Sequence, residues 1–301
     1  MQTLLNNKTV QFFVIFIIGV SYSLLLTLNK IAVTHGVPST AYVFWHCLGA
    51  GIFTGLILLF QKKPLPLGRR FIFTYTIWGL LAVAAPITLL TWISPKLPAG
   101  IITLTMILVP LITYVLSLLF RIDRFRLLSI SGIIMGAAGV LLVTLPSQAL
   151  PTSDMVNWLL LALLAPLSFG MVTVFVAKFR PPECGSIALV SGLFLASAIM
   201  LLPVMIGFGH FYIFPGDDLI GDLAILGASI LSCLIFWLFL EIIGVAGPTF
   251  ATQHNYIAVL SGFGWGALFF SETPSWLIWI AVLVMFGGLA LHTVSSKTDE
   301  V

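Results

Sequence analysis

The sequence predicts an all-α integral membrane protein of ten transmembrane helices, arranged as two inverted five-helix repeats around a central cavity. Three observations lead there: a charge-poor composition, ten apolar runs of membrane-spanning length, and an internal repeat. Of the 301 residues, 60% are hydrophobic and 8% charged, where soluble domains carry about 25% charged residues. A mean hydropathy of +1.16 assigns most of the chain to hydrocarbon. The formal charge of +3, with no basic patch interleaved with aromatics, argues against a nucleic-acid partner. Cys47, Cys184 and Cys233 have neither C-x-x-C nor Cys/His spacing. They are expected as small buried hydrophobes, with no disulfide, metal site or cofactor.

Roughly 20 apolar residues cross a bilayer as a helix, the form that satisfies every backbone group internally. Such runs fall at 11–33, 40–60, 71–93, 99–120, 127–145, 155–178, 186–208, 219–241, 247–270 and 276–294. The links between them are too short for a soluble domain. The first run continues into "TLNKIAVTHG" without an A-x-A site, so it reads as a retained helix rather than a cleaved signal. Lys and Arg in short loops orient the chain. With the N-terminus inside, the cytoplasmic loops and termini receive Lys8, Lys62, Lys63, Arg69, Arg70, Arg121, Arg124, Arg126, Lys178, Arg180 and Lys297, eleven of the thirteen. Lys30, Lys96 and the acidic Asp217, Asp218 and Asp222 fall toward the outside. Both termini are therefore expected in the cytoplasm.

A shift of 149 positions brings the end of the first half onto the end of the second. Thr103 meets Thr252, Leu111 meets Leu260, Leu119-Phe120 meets Leu268-Phe269, and Leu128 meets Leu277. Asp123 meets Glu272, Gly139 meets Gly288 and Thr144 meets Thr293. "VSYSLLLTLNK" resembles "LSFGMVTVFVAK" more loosely. The repeats are expected at 1–147 and 148–301. Five helices is an odd number, so the second half must enter from the opposite face. Inverted repeats of this kind typify secondary transporters with a site at the midplane between the halves.

Polar residues inside the spans are the candidates for that site. Lys30 and Asn29 end helix 1, with snorkelling as the alternative for Lys30. His46 lies within helix 2, too deep for a short side chain to reach the interface. The stretch "PTFATQHNYIAVLSGFGWGALFF" places Gln253, His254, Asn255 and Tyr256 together in an otherwise apolar segment. On a continuous helix Thr252, Gln253 and Tyr256 share a face, while His254 lies elsewhere. The expected cavity residues are Tyr22, Asn29, Lys30, Tyr42, His46, Trp78, Gln253, His254 and Tyr256. Lys30 and His46 would meet a carboxylate, Gln253 and Tyr256 would supply directional hydrogen bonds, and Trp78 would cover an apolar part of the solute. With no G-x-S-x-G and no H-E-x-x-H, an enzyme is not expected. Loops this short also leave little surface for a scaffold. The partners expected are a small-molecule substrate and the lipid bilayer. Gly136, Gly139, Gly287 and Gly288 could pack within one chain or between two, as in a homodimer.

The segments 97–143 and 247–291 resemble those of drug/metabolite transporters of the EamA type, and the resemblance covers nearly the whole chain. Each segment has a small-residue-rich helix, an acid at its end, then a helix with a Gly-containing run. Pro110, Asp123 and Gly139 carry the pattern in one half, and Glu272, Gly287 and Gly288 in the other. "LNK" and "APLSFGMVTVFVAKF" match the ends of helices 1 and 6. The chain departs from the family in having Asp123 for the usual Glu, His46 for a frequent Arg, and Ala258 or Val259 for the usual Pro. The resemblance implies ten helices working by alternating access in a bacterial cytoplasmic membrane. It implies an exporter of amino acids or related zwitterionic or anionic compounds. Import or exchange of a nucleotide-like or sulfur-containing metabolite stays open as the alternative.

Overall fold

Proline and glycine positions decide where the helices run and where they break. The computed structural model describes residues 5–93, 96, 105–106, 108–147, 153–270, 280, 283–284, 287–288 and 291. Helices α1 (Lys8–Thr34) and α2 (Ser39–Phe60) form the first hairpin, and the Asn7 side chain caps α1 by accepting from the Thr9 N–H. Next come α3 (Arg69–Gly79), a π-helical turn (Leu80–Ala84) and α4 (Ala85–Ile93), which together make one span, Arg69–Ile93. The π turn has a local cause. Pro86 has no N–H to give, and its ring crowds the carbonyl four residues back, at Ala82.

The chain continues through α5 (Leu108–Leu119), α6 (Leu127–Ser147), α7 (Ser153–Ala162) and α8 (Leu164–Phe179). Pro166 acts on Ala162 as Pro86 acts on Ala82, and there the helix interrupts between α7 and α8. The second half closes with α9 (Ser186–Gly207), α10 (Leu219–Ala246), α11 (Pro248–Ala251) and α12 (His254–Phe270). Gly247 turns the chain between α10 and α11 at φ +86°, a conformation that a side chain strains, and Pro248 then opens α11.

Every described element is helical, and six spans among the described residues are long and apolar enough to cross a membrane. These are Lys8–Thr34, Ser39–Phe60, Arg69–Ile93, Asn157–Phe179, Ser186–Gly207 and Leu219–Ala246. The outer surface carries Phe13, Phe16, Ile52, Leu59, Phe60, Ile199 and Leu283 among many exposed large hydrophobics, a surface that suits lipid. Most of the expected last helix, 276–294, with Glu272, Trp276, Trp279 and Lys297, lies outside the described residues, as does most of 99–107. Gly287 is described: a Cβ there would stand 2.5 Å from the Met135 Cε, so at this point α6 and the last segment pack within one chain.

The main contacts cross between the halves. α1 packs on α10 and α12, α2 on α9 and α10, α8 on α5 and α4, and α9 on α3. Exchanging first-half spans for their second-half counterparts leaves this pattern unchanged: α1 on α10 maps to α8 on the α3–α4 span. Close approach depends on small residues. A Cβ at Gly19 would lie 2.7 Å from the His254 carbonyl oxygen and 2.6 Å from the Ile257 Cβ. Since backbone cannot yield as a side-chain tip can, Gly19→Ala is expected to destabilise by about 1–3 kcal/mol. A thermal melt of the purified variant checks this, and an unchanged melting point would mean that α1 and α12 have slack.

Candidate functional site

Two small cavities share Tyr22 as a common wall, the smaller lined by the first half alone and the larger by both halves. The smaller, of ≈ 20 Å³, takes one face from each of three helices. Tyr22, Leu25, Leu26 and Asn29 stand at i, i+3, i+4 and i+7 on α1. Tyr42 and His46 are one turn apart on α2, and Ile87 and Leu90 are three apart on α4. The larger, of ≈ 60 Å³, is walled by Phe169 of α8, by Phe236 and Phe239 of α10, and by Ala82 of the π turn. Thr252, His254 and Asn255 close it from the α11–α12 junction. A wider groove of ≈ 520 Å³, lined by Lys63, Glu183, Ser186 and Glu241, opens at the end of the bundle that carries loops 61–68 and 180–185. Its open mixture of charges is that of a rim, and the enclosed polar groups lie deeper.

The polar groups of the small cavity are held from behind. His46 is 1% exposed, and its Nε2 lies 2.6 Å from the Ser232 Oγ of α10. The Asn29 Nδ2 donates to the Thr91 Oγ1 at 2.9 Å. That leaves the His46 Nδ1, the Asn29 Oδ1 and the Tyr42 hydroxyl buried with no hydrogen-bond partner among the described residues. Such groups cost free energy unless something pairs with them. All three residues border the small cavity, whose open lining is otherwise apolar.

At the larger cavity the polar quartet of the sequence sits on a helix break. The sequence predicts one helix over 247–270, but residues 252–253 form a turn between α11 and α12. Here side chains bond the backbone locally, which competes with helix continuation. Thr252 donates to the Thr249 carbonyl at 2.9 Å, and Asn255 to the Thr252 carbonyl at 2.8 Å. The His254 Nδ1 lies 2.8 Å from the Ala251 carbonyl, so it carries the proton and leaves Nε2 as the acceptor. The His254 ring packs edge-on against Tyr22 and Phe239, at 5.6 and 5.2 Å between centroids.

The nine expected residues thus separate by place. Tyr22, Asn29, Tyr42 and His46 line the small cavity, and Tyr22 and His254 the larger. Gln253 is 1% exposed within the break, and neither amide atom has a partner among the described residues. Tyr256 turns to α6, where its hydroxyl donates to the Ile133 carbonyl at 3.1 Å. Trp78 is buried in α3, and Lys30 is half-buried beside Asn29. Sequence reasoning missed Ser232 and Thr91, the groups that orient His46 and Asn29. The signal for Ser232 was the small polar row Ser229, Ser232 and Cys233 on α10, all facing α2.

Comparison with known proteins decides the family. The sequence profile of the EamA-like transporter family matches residues 10–145 and 156–294, each half once. The chain belongs to the EamA-like transporter family. It is accordingly a multi-pass membrane transporter of small molecules, built from two repeats of the EamA unit. A solved crystal structure titled "Crystal structure of protein" has the same fold at 18% identity, with a TM-score of 0.79 over 97% of this chain and 100% of that one. No curated protein sequence matches.

Proposed function

We propose that this EamA-like transporter exports amino acids or closely related zwitterionic metabolites across a bacterial cytoplasmic membrane by alternating access. The observation that carries the reading is the grouping of Asn29, Tyr42 and His46 around one small cavity on the first-half side of the seam, with the Asn29 Oδ1, the Tyr42 hydroxyl and the His46 Nδ1 buried and unpartnered among the described residues. Neutral hydrogen-bonding groups beside aromatic walls suit a solute that carries its own compensating charges. The two halves, 1–147 and 148–301 with inverted orientation and cytoplasmic termini, would rock about this seam. The two ends differ in this form. The end bearing the α1–α2 turn is tied across the halves, whereas the end with the basic loops carries the open groove.

The test is counterflow in proteoliposomes reconstituted with the full chain. Labelled amino acids are expected to exchange against unlabelled ones, with loss of exchange in His46→Leu. In cells, expression is expected to lower the intracellular pool and raise the external one. Exchange of nucleotides or sulfur metabolites with no exchange of amino acids would overturn the reading in favour of the other solute class.

A further inference from the structure

We propose that the ≈ 520 Å³ groove at the end bearing loops 61–68 and 180–185 seats the headgroup of a membrane lipid that carries a primary ammonium beside its phosphate. The ammonium meets Glu241 and the Trp237 ring, the phosphate meets Lys63 and the first turn of α9, and the acyl chains lie along the outer face of α10. This site is apart from the two cavities at Tyr22 and does not depend on which solute the protein carries.

Both halves build the groove. The first supplies the end of α2 and Lys63 of the loop that follows, and the second supplies Glu183, the start of α9, and Trp237 and Glu241 of α10. Its volume lies within the range of small-molecule sites, about 300–1,000 Å³. On α10 the exposed Leu223, Leu226, Ile230 and Leu234 form one row, and Trp237 and Glu241 continue it on the same helical face. An exposed apolar row that ends in an indole and a carboxylate follows the step from acyl chain to headgroup, the level at which tryptophan concentrates in membrane proteins. That continuity favours a lipid over a soluble guest.

The charges select the headgroup. Among the described lining side chains two are carboxylates, Glu183 and Glu241, and one is a lysine. A lone phosphate is poorly matched to such a lining, whereas a headgroup that brings its own ammonium is well matched. Glu241 is half-buried, and among the described residues its hydrogen-bond partner is the Ser186 hydroxyl, which donates to Oε1. Its Oε2 is left for a guest. Arg180 stands behind, donating to the Ser186 Oγ at 2.8 Å. Glu183 is exposed and meets Arg70 only at 3.9 Å. A primary ammonium can donate to these carboxylates while lying against the Trp237 face. For the phosphate, Lys63 is exposed, and α9 begins at Gly185, which has no side chain to satisfy the first N–H groups. Because both halves line the groove, a bound lipid links them and stabilises this form by mass action.

The test follows the melting of the purified full chain in neutral detergent as dioleoyl phosphatidylethanolamine, phosphatidylcholine, phosphatidylglycerol or soluble phosphoethanolamine is added. Phosphatidylcholine keeps the positive charge but loses the N–H donors, and phosphatidylglycerol loses the ammonium. The ethanolamine lipid is expected to raise the melting point at about tenfold lower mole fraction than the other two lipids, the ratio for one charge-assisted hydrogen bond. Glu241→Gln should bring phosphatidylglycerol level with the ethanolamine lipid. Lys63→Ala should weaken all three lipids and keep their order. Equal action of the three lipids on the wild type would mean an ordinary lipid annulus and overturns the site. A preference for phosphatidylglycerol overturns it too, since the basic loops alone would then be the binding surface. Phosphoethanolamine acting at the concentration of the whole lipid would make the guest a soluble one, against the proposal. If the wild type discriminates but both variants keep its order and affinities, the headgroup sits elsewhere and the placement falls. Should Glu241→Gln fail to fold, Lys63→Ala and the wild-type panel decide, and wild-type affinity in Lys63→Ala overturns the seat.

Discussion

Gln253→Leu is expected to raise the melting temperature while reducing transport by tenfold or more, on the order expected for one lost hydrogen bond to a charged partner. Most substitutions lower stability. Here the native side chain is itself the liability. Gln253 is 1% exposed, and neither its Oε1 nor its Nε2 has a partner among the described residues. An unsatisfied buried polar group costs about 1–3 kcal/mol, and leucine fills similar space without that cost. In a chain of this size each kcal/mol corresponds to about 2–4 °C. A group that destabilises this form is explained if it pairs in another form, with solute or with backbone freed at the 252–253 break. Thermal melts and counterflow on the same preparation check both arms. A lower melting point would mean that the amide is paired, and undiminished transport would mean that the break contributes no polar contact to the cycle.

How much of this was legible in the sequence can be judged helix by helix. The small cavity was within reach, because Tyr22 and Asn29 are two turns apart and Tyr42 and His46 one turn apart. Regular helices preserve such spacings. The helix break was not. Thr252, His254 and Asn255 are only mediocre helix formers while Gln253 is a good one, and nothing in their order separates a polar helical face from a turn. What ends the helix is a set of side-chain bonds to the Thr249, Ala251 and Thr252 carbonyls, which need the folded surroundings to compete. Reading Tyr256 on the face of Gln253 assumed an unbroken helix, and the hydroxyl instead meets Ile133 on α6. Prolines behaved unequally for a similar reason. Pro86 widens its helix into a π turn and Pro166 follows an interruption, while Pro203 sits inside the uninterrupted α9. The sequence marks where a backbone bond is lost, and the packing around it decides how the helix yields.

Bridging residues 35 and 218 is expected to stop transport. In this form the α1–α2 turn of the first half and the α9–α10 loop of the second are laced together. The His35 Nδ1 meets the Asp218 Oδ2 at 2.7 Å, and the Thr40 hydroxyl meets the His210 Nδ1 at 2.7 Å. Trp45 donates its Nε1–H to the Tyr212 carbonyl at 2.8 Å and packs on Phe214. Asp222 stiffens the loop from inside, accepting from the Tyr212 hydroxyl and the Gly216 N–H. At the opposite end the cross-half ion pair Arg70–Glu183 is long, at 3.9 Å, and both side chains are more than 60% exposed, so it holds little. That end is tied as well, by Lys178 donating to the Phe120 carbonyl at 2.9 Å and by the Thr249 hydroxyl donating to the Asp123 carboxylate, so the laced end is the one the bridge tests and not the only one held. Its Asp218 carboxyl is held below its ordinary range by the Ile220 N–H and by His35. A depressed carboxyl contributes fully above its unfolded pKa, about 4, and is lost only as pH falls through the lower folded value, so mild acid leaves the carboxylate half of this pair intact. The proposed alternating access requires the lacing to open once per cycle. His35→Cys with Asp218→Cys, joined by a short cleavable thiol reagent, should hold it shut and reduce exchange at least about tenfold, a cost of one strong contact or more. Cleaving the reagent should restore exchange, and each single-cysteine variant should be insensitive, since the native Cys47 and Cys184 are buried and Cys233 is half-buried. Full exchange in a completely bridged sample would mean that this end never opens, and that solute leaves the seam by another route.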